Sequence, residues 1–246
     1  MTLPLTLLLF VSVLATSAIS GVLGMAGGMI LMAILVSTVS VAAAMMIHGA
    51  VQATSNGSRA WFLRSHIQWR ILPAYALGAA IALGTFSLIS IVPDTSLVLI
   101  AVGVFPWLAK LLPKLRGLDV CHLPTAALCG LVVTAAQLVA GASGPLLDVF
   151  YLNAKLNRFE VIASKAFTQT LGHLLKLVYY GLIIGVTEDI AAAFYVAAMA
   201  IAVVGTRIGT RALQHWDDAR FRIISSRVIL LLATGCIVKG ALELWR

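Results

Sequence analysis

Charge is what this sequence has least of. Lys, Arg, Asp and Glu make up 11% of its 246 residues, against about 25% in an average soluble domain. With 61% apolar residues and a mean hydropathy of +1.03, the chain lacks the polar groups to cover a soluble globule. The low hydrophobicity that disorder requires is missing too. Acids are scarcer than bases, 9 against 17, leaving a net charge of +8. The bases sit in short stretches between apolar runs, so the excess reads as a topology signal and not as a nucleic-acid surface. The three cysteines, Cys121, Cys129 and Cys236, have no metal-site spacing, and two lie inside apolar runs, so no metal is expected. No GxxxxGK[ST] string occurs, which excludes a P-loop motor, and no cofactor is implied. The alternation over about ten residues that marks outer-membrane strands is also absent. The first twenty residues lack a basic n-region. Thr16–Ser20 has the small residues of a cleavage site, but the segment reads as a retained first helix.

What is present is a series of apolar runs such as Leu3–Leu14 and Met29–Ile47, which read as helices in a hydrocarbon core. The expected fold is all-α and polytopic. Its expected segments are Leu3–Gly21, Met29–Val39, Ala42–Leu63, Ile71–Ile91, Ser96–Leu112, Leu123–Ala140, Pro145–Asn153, Phe159–Gly185, Ile190–Thr210 and Ile223–Trp245. The second and seventh are too short to cross a core of ~30 Å at ~1.5 Å per residue. Both follow a glycine-rich break.

Basic residues orient the segments. Arg64 and Arg70 share one loop; Lys110, Lys114 and Arg116 share another. Lys155 and Arg158 flank a third, and Arg211, Arg220 and Arg222 a fourth. The loops at Pro93–Asp94 and Glu188–Asp189 carry no Lys or Arg. If each short segment counts as one passage, all four basic loops fall on one side, the cytoplasm. Both termini are then expected outside, in a bacterial inner membrane. Trp61, Trp69, Trp107, Trp216 and Trp245 stand near segment ends, as interfacial anchors do.

The halves resemble each other. The stretch from Gly24 to Leu31 (GMAGGMIL) lines up with that from Ala140 to Leu147 (AGASGPLL). His48, Gln52, Asn56 and Arg59 recur 117 residues later as Lys165, Gln169, His173 and Lys176, each set on one helix face. Leu83-Gly84-Thr85 pairs with Ile208-Gly209-Thr210. Five segments per half put the second copy upside down, so residues 1–118 and 119–246 are expected to be inverted-topology repeats with broken helices at the glycine motifs.

These features point to an anion site. Broken backbone inside a bilayer is tolerated only where protein or a cavity surrounds it, and half-helix N-termini offer free N–H groups and a positive dipole end. Close packing through small residues is the competing account of the glycines. Backbone N–H groups near Gly27, Gly28, Ser143 and Gly144 would hold the ligand. Gln52, Asn56, Gln169 and His173 would hydrogen-bond it, and Arg59 or Lys176 would balance its charge. Arg59 and Lys165 are near enough to segment ends to snorkel; Lys176 is not. Asp148 is a charge partner for Lys176 or Lys165, or a coupling group. Protons or another ion would supply the energy. A second constellation, Gly141-Ala142-Ser143-Gly144 with His173 downstream, resembles rhomboid-type intramembrane serine proteases. Against it, Ser143 aligns with Gly27 in the first half, and the histidine context is Leu171-Gly172-His173-Leu174. A membrane scaffold is the remaining alternative.

The glycine break at Gly21–Gly28, its copy ending Ser143-Gly144-Pro145-Leu146, and the Arg64–Pro73 segment with Ile67-Gln68-Trp69 resemble the sulfite exporter family (TauE/SafE), also called the toluene-sulfonate uptake permease family. The resemblance spans essentially the whole chain. It implies a non-enzymatic inner-membrane permease for a small sulfur-containing anion, such as sulfite, a sulfonate or sulfoacetate. The second break departs from a longer glycine run by reading Gly-Ala-Ser-Gly-Pro, where Ser143 still supplies a donor.

Overall fold

The computed structural model describes residues 2–23, 26–111, 118–185, 188, 190–213 and 218–245, without the side chains of 22–23, 213 and 218–225. Gly24 and Met25 of the first break, Lys114, Arg116, Asp189 and Trp216 lie outside the described residues, as do the side chains of Arg220 and Arg222.

Among the described residues every regular element is helical. They are α1 (Leu3–Leu23), α2 (Ala26–Leu35), α3 (Val41–Phe62), α4 (Leu72–Ile89), α5 (Thr95–Leu111), α6 (Leu123–Ala140), α7 (Gly144–Tyr151), α8 (Arg158–Val178), α9 (Ala192–Leu213) and α10 (Asp218–Leu244). Single 3-10 turns at Arg64–His66 and Trp69–Ile71 join α3 to α4. Among the described residues four stretches are long and apolar enough to cross a membrane: Leu3–Gly21, Trp69–Ile89, Leu123–Ala140 and Ala192–Ala212. Helices α3 and α8 match them in length, at 22 and 21 residues, but carry the polar stripes. The outside is apolar: Leu88, Leu182 and Leu231 are exposed, while His48, Gln52, His173 and Lys176 are buried. This inverts the usual arrangement of a soluble protein. The chain is a multi-pass membrane protein.

At 10 and 8 residues, α2 and α7 rise only about 15 and 12 Å. Helix α2 starts at Ala26, three residues before the expected Met29. Glycine disfavours helix by ~1 kcal/mol, but the first turn includes both Gly27, which packs closely on α1, and Gly28, which faces Gln52 of α3. The long segment expected from Phe159 to Gly185 is one α-helix only to Val178, then a π-helical stretch, Tyr179–Ile184. There two consecutive tyrosines are fully buried. Their hydroxyls donate to the carbonyls of Ile91 and Leu138, each at 2.7 Å, anchoring a helix that tolerates the wider turn.

The most extensive packing joins α1 to α9, α4 to α6, α5 to α10 and α3 to α8. Exchanging the first five helices for the last five turns the α1–α9 pair into the α6–α4 pair. The other two pairs map onto themselves. Glycines allow the closest of these contacts. A methyl group on Gly130 of α6 would lie 2.0 Å from the Tyr75 carbonyl oxygen of α4, and one on Gly209 of α9 would lie 2.0 Å from that of Ala18 on α1.

Candidate functional site

The site is built on α3 and α8, which pack face to face. Helix α3 is started by Ser40, whose side chain accepts from the Ala43 N–H. Helix α8 is started by a reciprocal Asn157–Glu160 capping box. These caps set the register of two buried stripes. His48, Gln52 and Asn56 on α3 and His173 and Lys176 on α8 are each at most 5% exposed. The rings of His48 and His173 are 5.4 Å apart between the stripes.

The broken helices close the ends of this seam. Helix α6 stops at Gly141, whose φ of +72° places it in the left-handed region that suits glycine. A Cβ there would also strike the Met32 sulfur at 2.6 Å. Ser143 then opens α7. Its carbonyl accepts from Leu146 and Leu147, and Pro145 has no N–H, so in that turn Gly144 keeps a backbone N–H free of the helix. On the other side, the Gly28 carbonyl in the first turn of α2 accepts from His48 Nε2 at 2.9 Å.

Between the two breaks lies a cavity of ≈ 20 Å³, lined by Gly28, Met29, His48, Gln52, Asn56, Ala142, Ser143, Gly144, Gln169 and His173. That is room for about one water-sized group. Gln52 Nε2 and His173 Nδ1 are buried there without a hydrogen-bond partner among the described residues. An unpaired buried polar group costs about 1–3 kcal/mol, so a guest that bonds both nitrogens has a ready source of affinity. Asn56 donates to the Gln52 carbonyl at 3.0 Å, and the Ser143 hydroxyl donates to Gln137 Oε1 at 3.0 Å. The serine is thus engaged with Gln137, not His173, as acyl-enzyme chemistry would need.

The charges lie just beyond the cavity. Lys176 Nζ bonds His48 Nδ1 at 2.8 Å and the Gly141 carbonyl at 3.0 Å, so Asp148 is not the group that it bonds. Asp148 on α7 forms an ion pair with Lys165 of α8, and Arg59 acts electrostatically on Lys165 while donating to the Ser20 carbonyl at 3.2 Å. Gly27 faces away from the cavity: a methyl group there would sit 1.9 Å from the Thr16 carbonyl oxygen of α1. Of the ten residues expected around the ligand, Gly27, Arg59 and Lys176 stand outside the lining. His48, Met29 and Ala142 belong to it though the sequence reading left them out. His48 had a signal, since it heads the α3 stripe. Gln137 behind Ser143 had one too, as a rare amide in the apolar run of α6.

The sulfite exporter TauE/SafE family profile matches residues 8–235. No curated protein and no solved structure matches the chain. The match covers nearly the whole membrane domain, both breaks and both polar stripes, and the chain belongs to the sulfite exporter TauE/SafE family of membrane transport proteins.

Proposed function

We propose that the protein is a secondary transporter of a small sulfur-containing oxyanion, sulfite first among the candidates, with other sulfur oxyanions and organosulfonates as alternatives. The observation that carries this reading is the cavity between the two short helices, where Gln52 and His173 present unpartnered nitrogens. The space takes one oxygen of an oxyanion, which would accept from both and from the Gly144 N–H, and the rest of the ion needs the site to widen as the repeats move. Ser143, Asn56 and Gln169 complete the wall. The surplus of Arg59, Lys165 and Lys176 over Asp148 favours an anion in the region as a whole. The helix pairing supports two inverted repeats, residues 1–118 and 119–246, that rock about the α3–α8 seam to give alternating access. An ion or proton gradient, or that of the substrate, drives the cycle.

Thermal denaturation of the purified protein with sulfite, sulfate, thiosulfate or methanesulfonate tests the site. Sulfite at a hundred times Kd is expected to stabilise the fold by about 2.7 kcal/mol, and Gln52→Leu or His173→Leu to remove the effect. Ser143→Ala is expected to weaken binding by no more than about fivefold, the value of one neutral hydrogen bond, because its hydroxyl hydrogen is held by Gln137 and not by the anion, with measurable flux retained; complete loss of flux would instead favour the protease. Equal stabilisation of wild type and the Gln52 and His173 variants would show that the anion binds elsewhere.

In this reading the chain lies in the bacterial cell membrane with both termini outside. Trp61 beneath Arg64 and Trp107 beneath Lys110, at 4.9 and 5.4 Å, mark the cytoplasmic interface. In a variant stripped of its native cysteines, Ser65→Cys should react with an impermeant maleimide only from the cytoplasm. Ser90→Cys should react only from outside. The same sidedness at both positions would break the topology.

A further inference from the structure

The amine of Lys176 is fully buried, and its two hydrogen-bond partners are an imidazole and a carbonyl. The hydrogen count at this pair is constrained. His48 Nε2 faces the Gly28 carbonyl, which only accepts, so Nε2 carries a hydrogen. Nδ1 is left to face Lys176 Nζ at 2.8 Å. Two protonated nitrogens cannot bond each other, so that contact holds a single hydrogen. Either a neutral imidazole accepts from the amine, or a cationic imidazole donates to it. The pair therefore carries at most one positive charge. It can also carry none: a neutral amine has two hydrogens, enough for Nδ1 and the Gly141 carbonyl. All three hydrogen bonds survive the gain or loss of one proton.

We propose that the His48–Lys176 pair is the proton-coupling site of the transporter, taking up one proton when the anion enters the neighbouring cavity and releasing it when the anion leaves. The proposal rests on the transport reading above. His48 lines that cavity and links it to Lys176. The hydrogen bonds of the pair end on Gly28 and Gly141, one at each helix break. Apart from His173, whose Nδ1 is unpartnered and whose ring lies 5.4 Å from that of His48, the titratable groups around the pair are already engaged. Asp148 of α7 is held by Lys165. The hydroxyls of Tyr179 and Tyr180 are on backbone carbonyls. Arg59, farther along α3, is on Ser20, and α2 has no titratable side chain. His173 is one turn before Lys176 on α8 and faces the cavity. A protonated pair thus finds its counter-charge in a bound anion, and an empty cavity favours the neutral pair. Linkage is reciprocal: falling pH strengthens anion binding. A monoanion would move with no net charge, and a dianion with one net negative charge.

Calorimetry of sulfite binding to the purified full-length protein, in buffers of differing ionisation heat, counts the protons taken up. Protonation of free sulfite is common to all variants and drops out of the comparison. The wild type is expected to take up about one proton more per sulfite than Lys176→Arg, whose guanidinium stays charged, or His48→Gln. His48→Gln should bind more weakly, Lys176→Arg should keep at high pH the affinity that the wild type reaches only at low pH, and both should show a flatter pH dependence. An equal proton count in wild type and either variant, with sulfite still bound, overturns the coupling role and leaves the transport reading intact. A wild-type affinity that does not vary with pH, once the titration of free sulfite is subtracted, overturns it without any variant. Absence of sulfite binding to the wild type overturns both readings.

Discussion

Gly130→Ala is expected to lose most of its folded protein, although it adds one methyl group. That carbon would lie 2.0 Å from the Tyr75 carbonyl oxygen, 2.8 Å from its carbonyl carbon and 3.0 Å from the Ala79 nitrogen. All three belong to the α4 backbone, so no side chain can swing aside. Gly78 makes the reciprocal approach, 1.8 Å from the Ala127 carbonyl oxygen of α6. The helices must separate along their length, losing the close packing that drives association where lipid removes the hydrophobic incentive. Overpacking costs about 1–3 kcal/mol, and a contact with backbone on every side belongs at or above the top of that range. At roughly 2–4 °C per kcal/mol for a chain of this size, the melting temperature should fall by about 5–10 °C or the protein should fail to fold. Size-exclusion profiles of detergent-solubilised protein measure this. Gly84→Ala is the control, since no atom lies within 4 Å of its added carbon. Equal behaviour of the two variants would refute the tight α4–α6 interface.

The second large effect separates two adjacent glycines. Gly27→Ala should damage folding, because its methyl group meets the Thr16 carbonyl oxygen at 1.9 Å and the Ser20 hydroxyl at 2.3 Å. Gly28→Ala should fold, since its methyl group reaches only ordinary contact with the Gln52 amide at 3.4 Å. Gly28→Leu should also fold and abolish sulfite uptake, because the larger side chain fills a cavity of ≈ 20 Å³. Uptake into proteoliposomes, normalised to folded protein, distinguishes the outcomes. Full uptake by Gly28→Leu would remove the cavity from the transport path.

The adjacent glycines also show how far sequence reasoning reaches. The helices were legible because their apolar runs are long and end at turn residues; α6 has the expected limits at Leu123 and Ala140. The stripes were legible because polar residues repeat at helical spacing, and spacing fixes a common face. Gly27 and Gly28 are identical as letters, and only the position of α1 separates packing from lining. The partner of Lys176 was illegible for a similar reason. His48 is 128 residues away, whereas the expected partners are a bound anion or Asp148, and Asp148 is one turn into α7 beside Lys165. Contacts between distant helices depend on rotation and depth, which local periodicity does not encode. The π-helical stretch at Tyr179 follows from anchoring carbonyls on α6 and in the α4–α5 loop, again outside the local sequence.

The pairing of α1 with α9 has a consequence for biogenesis. The ribosome releases α1 first, whereas α9 begins only at Ala192. At about 5–20 residues per second, the delay is roughly 10–40 s. Throughout it, Ser17, which ends up buried against Gly205 of α9, has no α9 to cover it. A nascent chain halted before α9 is therefore an unfinished substrate for membrane proteases. The insertion machinery must shelter the early helices until translation is nearly complete.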